Sequence, residues 1–281
     1  MMAGMTFAHG INLFSARPGS GHGLAQEVTL QTMRLAREFT GRQVGLELHA
    51  AVFPEDSGLV PPFFDGALPL SRSILDFQAH GSGRKLPLIG EILDKLFQVS
   101  RADYFIYTNA DIAVQPYFYL ALPGLIAASP DSFIVTRRTI DAAFNRLDQV
   151  PLMCAQVGAA HPGSDCFVFR RGLVEKFRLG HTVIGSEFIG LALRVNLAAF
   201  SRNFTIFRDK HLTFHIGDDR EWLQFTADSR HNRAEVEAIF ESLLSKWRLP
   251  GKKKVKELYR DFGQRIERLE KRAQAQGGGQ I

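Results

Sequence analysis

The chain has 281 residues, 45% of them hydrophobic and 22% charged, with a formal net charge of +5. This composition excludes wholesale disorder. The length suits one large α/β domain with a tail, or two small domains. Its two cysteines, Cys154 and Cys166, show no CxxC or Cys/His zinc spacing, which excludes a disulfide framework and favours a reducing compartment. Residues 1–8 lack the basic and apolar regions of a signal peptide, and no run approaches the ~18–20 apolar residues that cross a bilayer, so we expect a cytoplasmic protein.

Apolar periodicity predicts strands and helices that alternate along most of the chain. In chain order they are a strand at 11–15, a helix at 24–39, strands at 44–53 and 104–108 with a helix at 87–97 between them, a helix at 116–128, strands at 133–136 and 166–169, a helix from 185, and a strand at 211–217. Two connections are expected to lack regular structure. Residues 57–70 are rich in proline and glycine, and residues 140–160 form a long connection between predicted strands.

The glycine-rich residues 17–23 lie between the first predicted strand and the first predicted helix. This order is typical of the opening of a nucleotide-binding βαβ unit, with Ser15 and Arg17 as candidate nucleotide-binding residues. The loop lacks the lysine and hydroxyl of a P-loop and does not match G-x-G-x-x-G, so a plain flexible turn is the alternative. Arg84 and Lys85 precede the helix at 87–97, where the helix dipole and their charge both favour an anion.

The predicted central strand at 104–108 runs into the triplet Asn109-Ala110-Asp111. A carboxylate is costly to bury within a sheet, but at the end of a strand it projects into the crevice where open α/β sheets bind ligands. Because residues i and i+2 face the same side, Asn109 and Asp111 are expected to contact one ligand. Two oxygen donors suit Mg²⁺ or Mn²⁺, which in turn binds a diphosphate. The alternative is that Asp111 caps a turn or a helix.

Later segments add carboxylate and imidazole groups. Asp165 lies where a loop enters the strand at 166–169, and Glu187 opens the next predicted helix. Glu187 is a candidate base, or alternatively a first-turn acid that complements the helix dipole. The last predicted strand carries His211 and His215 on one face.

Residues 246–272 carry much of the positive charge. Such a segment favours an anionic membrane surface or nucleic acid, whereas its interleaved acids at helical spacing favour a solvated, salt-bridged helix. We expect residues 1–245 to form the main domain and residues 246–281 a basic helical extension with a disordered end. Contact of that extension with anionic lipid would place the protein at the inner face of the membrane, and nucleic acid is not the expected partner.

Taken in order, these segments resemble a GT-A-type nucleotide-sugar glycosyltransferase over residues 10–219. The resemblance rests on the D-x-D-like triplet with its preceding helix and on residues 163–171, which are similar to the acceptor-side loop and strand of that fold. Glu187 resembles the acid of the catalytic helix of inverting members, and His215 looks like the histidine that completes the metal site in several families. The resemblance implies an α/β fold with a GT-A-like, Rossmann-type mixed sheet flanked by helices.

The resemblance also implies roles for individual residues. The implied ligands of a divalent cation, Mn²⁺ or Mg²⁺, are Asp111, His215 and Asn109. The implied donor-binding residues are Ser15, Arg17, Arg84, Lys85, Asn109 and Asp111, and the implied catalytic carboxylates are Glu187 and Asp165. Because asparagine replaces the first acid of the triplet, the alternative is a site without metal that holds the diphosphate through Arg84, Lys85 and backbone amides.

We therefore expect a glycosyltransferase that moves a sugar from a nucleotide-diphosphate donor to a hydroxyl of a carbohydrate or lipid-linked acceptor, in surface polysaccharide or glycolipid synthesis. One alternative is a P-loop-type sulfotransferase that uses residues 17–23 and no metal. The other is a non-catalytic nucleotide or nucleic-acid binder that acts through the basic tail and binds in a salt-dependent way.

Overall fold

The computed structural model describes residues 4–17, 19–77, 83–218, 226–246 and 248–275, with the backbone alone for 272–275. The chain divides into two compact units. The first unit comprises Met1–Arg72, Glu91–Glu175 and Asn203–Asp219, and the second comprises Ser73–Gly90, Lys176–Arg202 and Arg220–Ile281. No helix among the described residues is both long enough and apolar enough to span a membrane.

Strands and helices alternate through much of the chain. In order they are β1 (Thr6–Asn12), α1 (Gly21–Thr40), β2 (Gly45–Val52), β3 (Gly66–Pro69), α2 (Ile89–Val99), β4 (Tyr104–Thr108), β5 (Ala113–Val114), α3 (Phe118–Ala128), β6 (Ser132–Val135), β7 (Arg138–Ile140), α4 (Val150–Ala155), β8 (Ala159–Ala160), β9 (Cys166–Arg170), α5 (Ile189–Phe200), β10 (Phe204–Phe207), β11 (Thr213–Ile216), α6 (Ala227–Leu244) and α7 (Lys252–Ala275).

A seven-stranded mixed sheet forms the framework of the first unit, in the order β10-β6-β9-β4-β1-β2-β3. β1 pairs in parallel with both β2 and β4, so the strand order reverses at β1. β9 runs antiparallel between β4 and β6. Open α/β sheets bind ligands at the carboxyl ends of the strands where the order reverses. The topology therefore places a candidate site beside the ends of β1 and β4.

The central strand β4 is buried along its whole length. Ile106 of β4 packs with Met33 and Ala36 of α1 and with Phe118 and Leu122 of α3 in one apolar cluster. A strand covered in this way needs apolar side chains throughout rather than an alternating pattern. This is why the sequence of β4 predicts its position in the core.

A smaller sheet of the first unit has four strands in the order β5-β11-β7-β8. β11 pairs antiparallel with β5 and parallel with β7. The chain passes from the large sheet to the small one three times: between β4 and β5, between β6 and β7 through Thr136 and Arg137, and between β10 and β11. The small sheet thus gathers segments that leave the edge of the large sheet.

The second unit contains helices α5, α6 and α7, which pack against one another. The ring of Phe262 in α7 lies 5.7 Å from that of Phe188 and 5.6 Å from that of Phe240 in α6. Gly251, just before α7, is required by close packing, because a Cβ there would lie 1.5 Å from the Ala198 carbonyl oxygen. Its N–H donates to the Ala199 carbonyl at 3.1 Å.

α7 is the basic helix predicted from the sequence, and its apolar side is buried. The buried side chains recur at helical spacing: Val255, Leu258, Phe262, Ile266 and Leu269. The helix is an integral part of the second unit, and its contact with an anionic membrane stays a prediction, as does the boundary between residues 245 and 246. The predicted disordered end, after residue 275, lies outside the described residues.

Several predicted boundaries were wrong. The first strand begins at Thr6 rather than at residue 11. The connection at 57–70 contains β3, which tolerates Pro69 because β3 lies at the edge of the sheet and Pro69 is its last residue. Pro87 lies before α2 and forms a bridge with Ser73.

The connection at 140–160 also contains regular structure, because α4 and β8 lie within it. Pro151 occupies the first turn of α4, where its missing N–H costs nothing. Glu187 precedes α5 instead of opening it, since Phe188 takes the left-handed N-cap position with φ of 69°.

Candidate active site

Asp111 and His215 meet in the first unit. Asp111 lies in the turn between β4 and β5, where the Ile112 N–H donates to the Asn109 carbonyl at 3.1 Å. His215 lies in β11, which pairs with β5. The distance from Asp111 Oδ2 to His215 Nε2 is 3.3 Å. Strand pairing thus brings together two residues that are remote in the chain, as the predicted metal site requires.

The imidazole of His215 has a defined orientation. Its Nδ1 lies 2.9 Å from the Gly217 carbonyl oxygen. A carbonyl only accepts hydrogen bonds, so Nδ1 carries a hydrogen and Nε2 faces Asp111. The same arrangement orients histidine ligands in metal sites. The His215 side chain is 2% exposed and that of Asp111 is 31% exposed, so the carboxylate is the accessible member of the pair.

Burial and charge act in opposite directions on this pair. Burial alone would raise the pKa of Asp111, but the contact with His215 and the charge of Arg137 outweigh it and leave the pKa below its usual value. Burial lowers the pKa of His215, and the charge of Arg137 acts in the same direction. The contacts with Asp111 and the Gly217 carbonyl raise that pKa by more, so it lies above its usual value. The protein alone therefore favours a carboxylate beside an imidazolium.

Arg137, Asp165 and His161 form a second cluster at the same edge of the large sheet. Cys166 of β9 lies opposite both Thr108 of β4 and Val135 of β6, so the residue before Cys166 and those after Val135 share that edge. Arg137 Nη1 is 3.6 Å from Asp165 Oδ1, and His161 Nδ1 is 3.6 Å from Asp165 Oδ2. The Gly163 N–H donates to His161 Nδ1 at 3.0 Å.

These side chains carry three buried polar atoms that have no hydrogen-bond partner within the part of the chain that the structure describes. They are Asp111 Oδ1, Arg137 Nε and Asp165 Oδ2. An unsatisfied buried polar group costs ~1–3 kcal/mol, so a cluster of them is typical of a site that a ligand completes. Arg137 was not among the residues predicted from the sequence; its place directly after a buried strand was the available signal.

The carboxyl ends of β1 and β2 bring Ser15 and Asp56 together. Asp56 Oδ1 accepts hydrogen bonds from the Ser15 hydroxyl at 2.5 Å and the Ser15 N–H at 3.2 Å. Asp56 was also missed, although it follows a predicted strand. Arg17 is exposed in the next loop, where its carbonyl accepts from the Ser20 N–H.

Asn109 and His211 lie in the first unit but do not join the Asp111–His215 pair. Asn109 Oδ1 accepts a hydrogen bond from the Tyr107 hydroxyl at 3.2 Å. His211 lies before β11 rather than in it, with φ of 43°, and its carbonyl accepts from the Tyr117 hydroxyl. The structure thus separates the two histidines that the sequence placed on one face.

The remaining predicted site residues belong to the second unit. Arg84 Nη2 is 2.9 Å from Asp228 Oδ2 and 3.3 Å from the Gly185 carbonyl oxygen, so this guanidinium already neutralises a fully buried acid. Lys85 is exposed. The Glu187 side chain is 6% exposed and pairs with Arg265 of α7. Burial raises the pKa of Glu187, and Arg265 limits the rise.

The donor set fits a divalent cation that binds together with a nucleotide. Among the described residues there is no group of three or more His, Cys, Asp or Glu side chains that could hold a metal ion by itself. Asp111 and His215 supply two ligands, and Asp111 Oδ1 is a buried acceptor without a partner there. Mg²⁺ and related cations are commonly held by one or two protein ligands plus substrate phosphates.

Solved structures share the fold of this chain, whereas no family model and no curated protein matches its sequence. S. aureus TarS 1–349 in complex with UDP-GlcNAc aligns with a TM-score of 0.53 and 7% identity over 92% of this chain and 71% of that chain. Mannosyltransferase PcManGT from Pyrobaculum calidifontis, in complex with GDP-Man and Mn²⁺, aligns with a TM-score of 0.51 and 12% identity over 90% and 69%. The chain has the GT-A fold.

The GT-A fold confirms the mixed α/β architecture predicted from the sequence. It also removes the structural basis of the P-loop alternative, because β1 and α1, which flank the glycine-rich segment, belong to a GT-A fold rather than to a P-loop fold. At these identities the likeness concerns the fold.

Proposed function

We propose that this protein is a glycosyltransferase that transfers a sugar from a nucleotide-diphospho-sugar to a hydroxyl acceptor. The observation that carries the proposal is the contact between Asp111 and His215 at the carboxyl edge of a GT-A sheet. The complexes of TarS with UDP-GlcNAc and of PcManGT with GDP-Man and Mn²⁺ support it. The acceptor class that we propose is a carbohydrate or a lipid-linked hydroxyl.

Asp111 and His215 would hold the cation, and the imidazole nitrogen makes Mn²⁺ a better match than Ca²⁺. When bound, the cation would supply charge neutralisation for the departing diphosphate. Asp111 offers its partly exposed carboxylate, and the Gly217 carbonyl fixes the His215 tautomer that leaves Nε2 as the ligand atom.

The acceptor hydroxyl must lose a proton, and the chain has two candidate carboxylates for that step. Glu187 is the better base in chemical terms, because burial raises its pKa toward the working pH. Asp165 lies in the cluster with Arg137, where ion pairing suits a role in holding the donor.

Calorimetric titration of UDP and of GDP, each with Mn²⁺ and with a chelator, tests this function. In Asp111→Asn and His215→Gln, we expect the Mn²⁺-dependent affinity to fall about tenfold or more, ~1.4 kcal/mol per factor of ten. Asp148→Asn is the matched control, since it removes an exposed acid of the same unit. Equal affinities in all variants, or wild-type binding unaffected by the chelator, would contradict the cation site. No binding of either nucleotide would contradict the function.

A further inference from the structure

Arg137 is a buried cation whose hydrogen bonding is incomplete. The residue is 7% exposed, and its Nη1 lies 3.6 Å from Asp165 Oδ1. That separation is an ion pair but not a hydrogen bond. Its Nε has no partner among the residues that the structure describes. A buried guanidinium is costly unless both its charge and its donors are satisfied, so this side chain has a donor available for a ligand.

The neighbours of Arg137 define the chemistry of that ligand. Arg137 directly precedes Arg138, which lies opposite Phe214, the neighbour of His215, in the pairing of β7 with β11. Its charge acts on both Asp111 and His215, the proposed cation ligands. Asp111 Oδ1 and Asp165 Oδ2 are acceptors without partners in the described chain, whereas Arg137 Nε is a donor without one. A complete ligand must therefore bring anionic oxygens to Arg137 and hydroxyl groups or a cation to the two carboxylates.

A nucleotide-diphospho-sugar carries this combination, because its phosphate oxygens are linked directly to a hydroxyl-bearing ring. Inorganic phosphate would satisfy Arg137 but would bring no hydroxyl-bearing ring to the two carboxylates. A guanidinium also presents its donors as a planar fork, which matches two phosphate oxygens better than a lysine ammonium does.

We propose that Arg137 binds the diphosphate of the donor directly, and that Asp165 positions the guanidinium for that contact. This inference rests on the proposed function and deepens it. It transfers to Arg137 the diphosphate-binding role that the sequence suggested for Arg84 and Lys85. Arg84 instead neutralises the buried Asp228 in the second unit.

The direction of the mutational effect separates this role from that of a mere neighbouring charge. Removing a cation from beside Asp111 and His215 should strengthen their hold on Mn²⁺, because like charges repel. If Arg137 acted only by repelling the cation, Arg137→Gln would bind UDP with Mn²⁺ more tightly than the wild type does. A direct contact predicts weaker binding.

The test is calorimetry of UDP, UMP, GDP and GMP in the presence of Mn²⁺. For the base that the wild type binds, we expect Arg137→Gln to weaken the diphosphate by about 10- to 100-fold, because hydrogen bonds to charged groups are the strong ones. The affinity for the corresponding monophosphate should fall by a smaller factor. The affinity of Arg137→Lys for the diphosphate should lie between those of the wild type and Arg137→Gln. Arg170→Gln, an exposed arginine of the same unit, is the control and should leave all affinities unchanged.

Arg137→Gln leaves Asp165 buried without its cation and can unfold for that reason alone. Arg137→Gln/Asp165→Asn removes both charges together and keeps the test valid. Diphosphate affinity in these variants that equals or exceeds the wild-type value would overturn the inference and leave the proposed function standing. Failure of the wild type to bind any of the nucleotides would overturn the proposed function, and this inference with it.

Discussion

The carboxylate of Glu187 and the guanidinium of Arg265, 78 residues apart in the chain, form an ion pair in the second unit. The Glu187 side chain is 6% exposed and that of Arg265 is 38% exposed. Arg265 also lies over the ring of Phe188, 5.2 Å from its centre. The candidate base and the basic C-terminal helix are thus one structural feature, although the sequence presented them separately.

Removing Arg265 should destabilise the protein in a pH-dependent way. Arg265→Ala leaves Glu187 buried without a cation, and breaking such a pair costs ~1–3 kcal/mol once screening at the partly exposed Arg265 is considered. The pKa of Glu187 is already raised above 4.5, and the substitution raises it further. Its protonated form stabilises the fold at low pH, and that stabilisation is lost as pH rises through the folded-state pKa.

Urea denaturation of the wild type and Arg265→Ala at about pH 5 and about pH 7.5 measures this effect. We expect the substitution to lower the free energy of unfolding by more at the higher pH. Arg268→Ala, an exposed arginine of the same helix, should change stability by less than ~0.5 kcal/mol at both. A pH-independent loss in Arg265→Ala would show that Glu187 is not the responsible group. Adding Glu187→Gln to Arg265→Ala should remove the pH dependence.

Truncation after Pro250 should abolish cooperative folding of the second unit. The deletion removes the five buried apolar side chains of α7 and exposes the faces of α5 and α6 that they cover. Each such side chain contributes ~1.5–3 kcal/mol, and the sum is comparable with the whole stability of a domain. Limited proteolysis and thermal denaturation measure the effect. Truncation after Ala275 is the control, and a truncation at Pro250 with wild-type thermal stability would contradict the packing role of α7.

Turnover should distinguish the two candidate catalytic carboxylates. Glu187→Gln keeps the shape of the side chain but not its basicity, so we expect kcat to fall by ~10²–10⁴ with little change in donor affinity. Asp165→Asn should instead weaken donor binding, because it removes the partner of Arg137. Steady-state kinetics together with nucleotide affinity measure both effects. The opposite pattern would exchange the two roles.

Acid should destabilise the protein through His9. This residue of β1 is fully buried, within 2.9 Å of both the Tyr119 hydroxyl and Thr108 Oγ1. Burial lowers its pKa from 6.5 to about 3. As pH falls below 6.5 the unfolded chain takes up a proton that the folded chain excludes, so stability is full above that pH and falls by ~1.4 kcal/mol per pH unit below it.

His9→Gln removes this titration while retaining a hydrogen-bonding side chain. Between pH 6.5 and about pH 5, we expect the wild type to lose about 2 kcal/mol more than His9→Gln in urea denaturation. The comparison cancels the groups that titrate in both proteins. Equal losses would show that His9 is not excluded from protonation in the folded state.

The sequence by itself determined the parts of this protein whose signal is local. The uninterrupted apolar run of β4 marks a strand covered on both faces, and the polar triplet after it marks where that strand leaves the core. The apolar residues of α1 and α7 recur at helical spacing because one face of each helix must be buried, and this periodicity predicts both helices. The sequence of β3 carries no such pattern, because β3 pairs with β2 at the edge of the sheet through backbone hydrogen bonds, which do not require particular side chains.

Tertiary structure alone decided which polar groups meet. Asp165 faces Arg137 because β9 lies antiparallel between β4 and β6, and this register cannot be derived from any single segment. Asp56 meets Ser15 through the pairing of β1 with β2, and Glu187 meets Arg265 through the packing of α7 on α5. Asp111 and His215 are the intermediate case. Their chemistry was readable in the sequence, but their 3.3 Å contact depends on the pairing of β5 with β11.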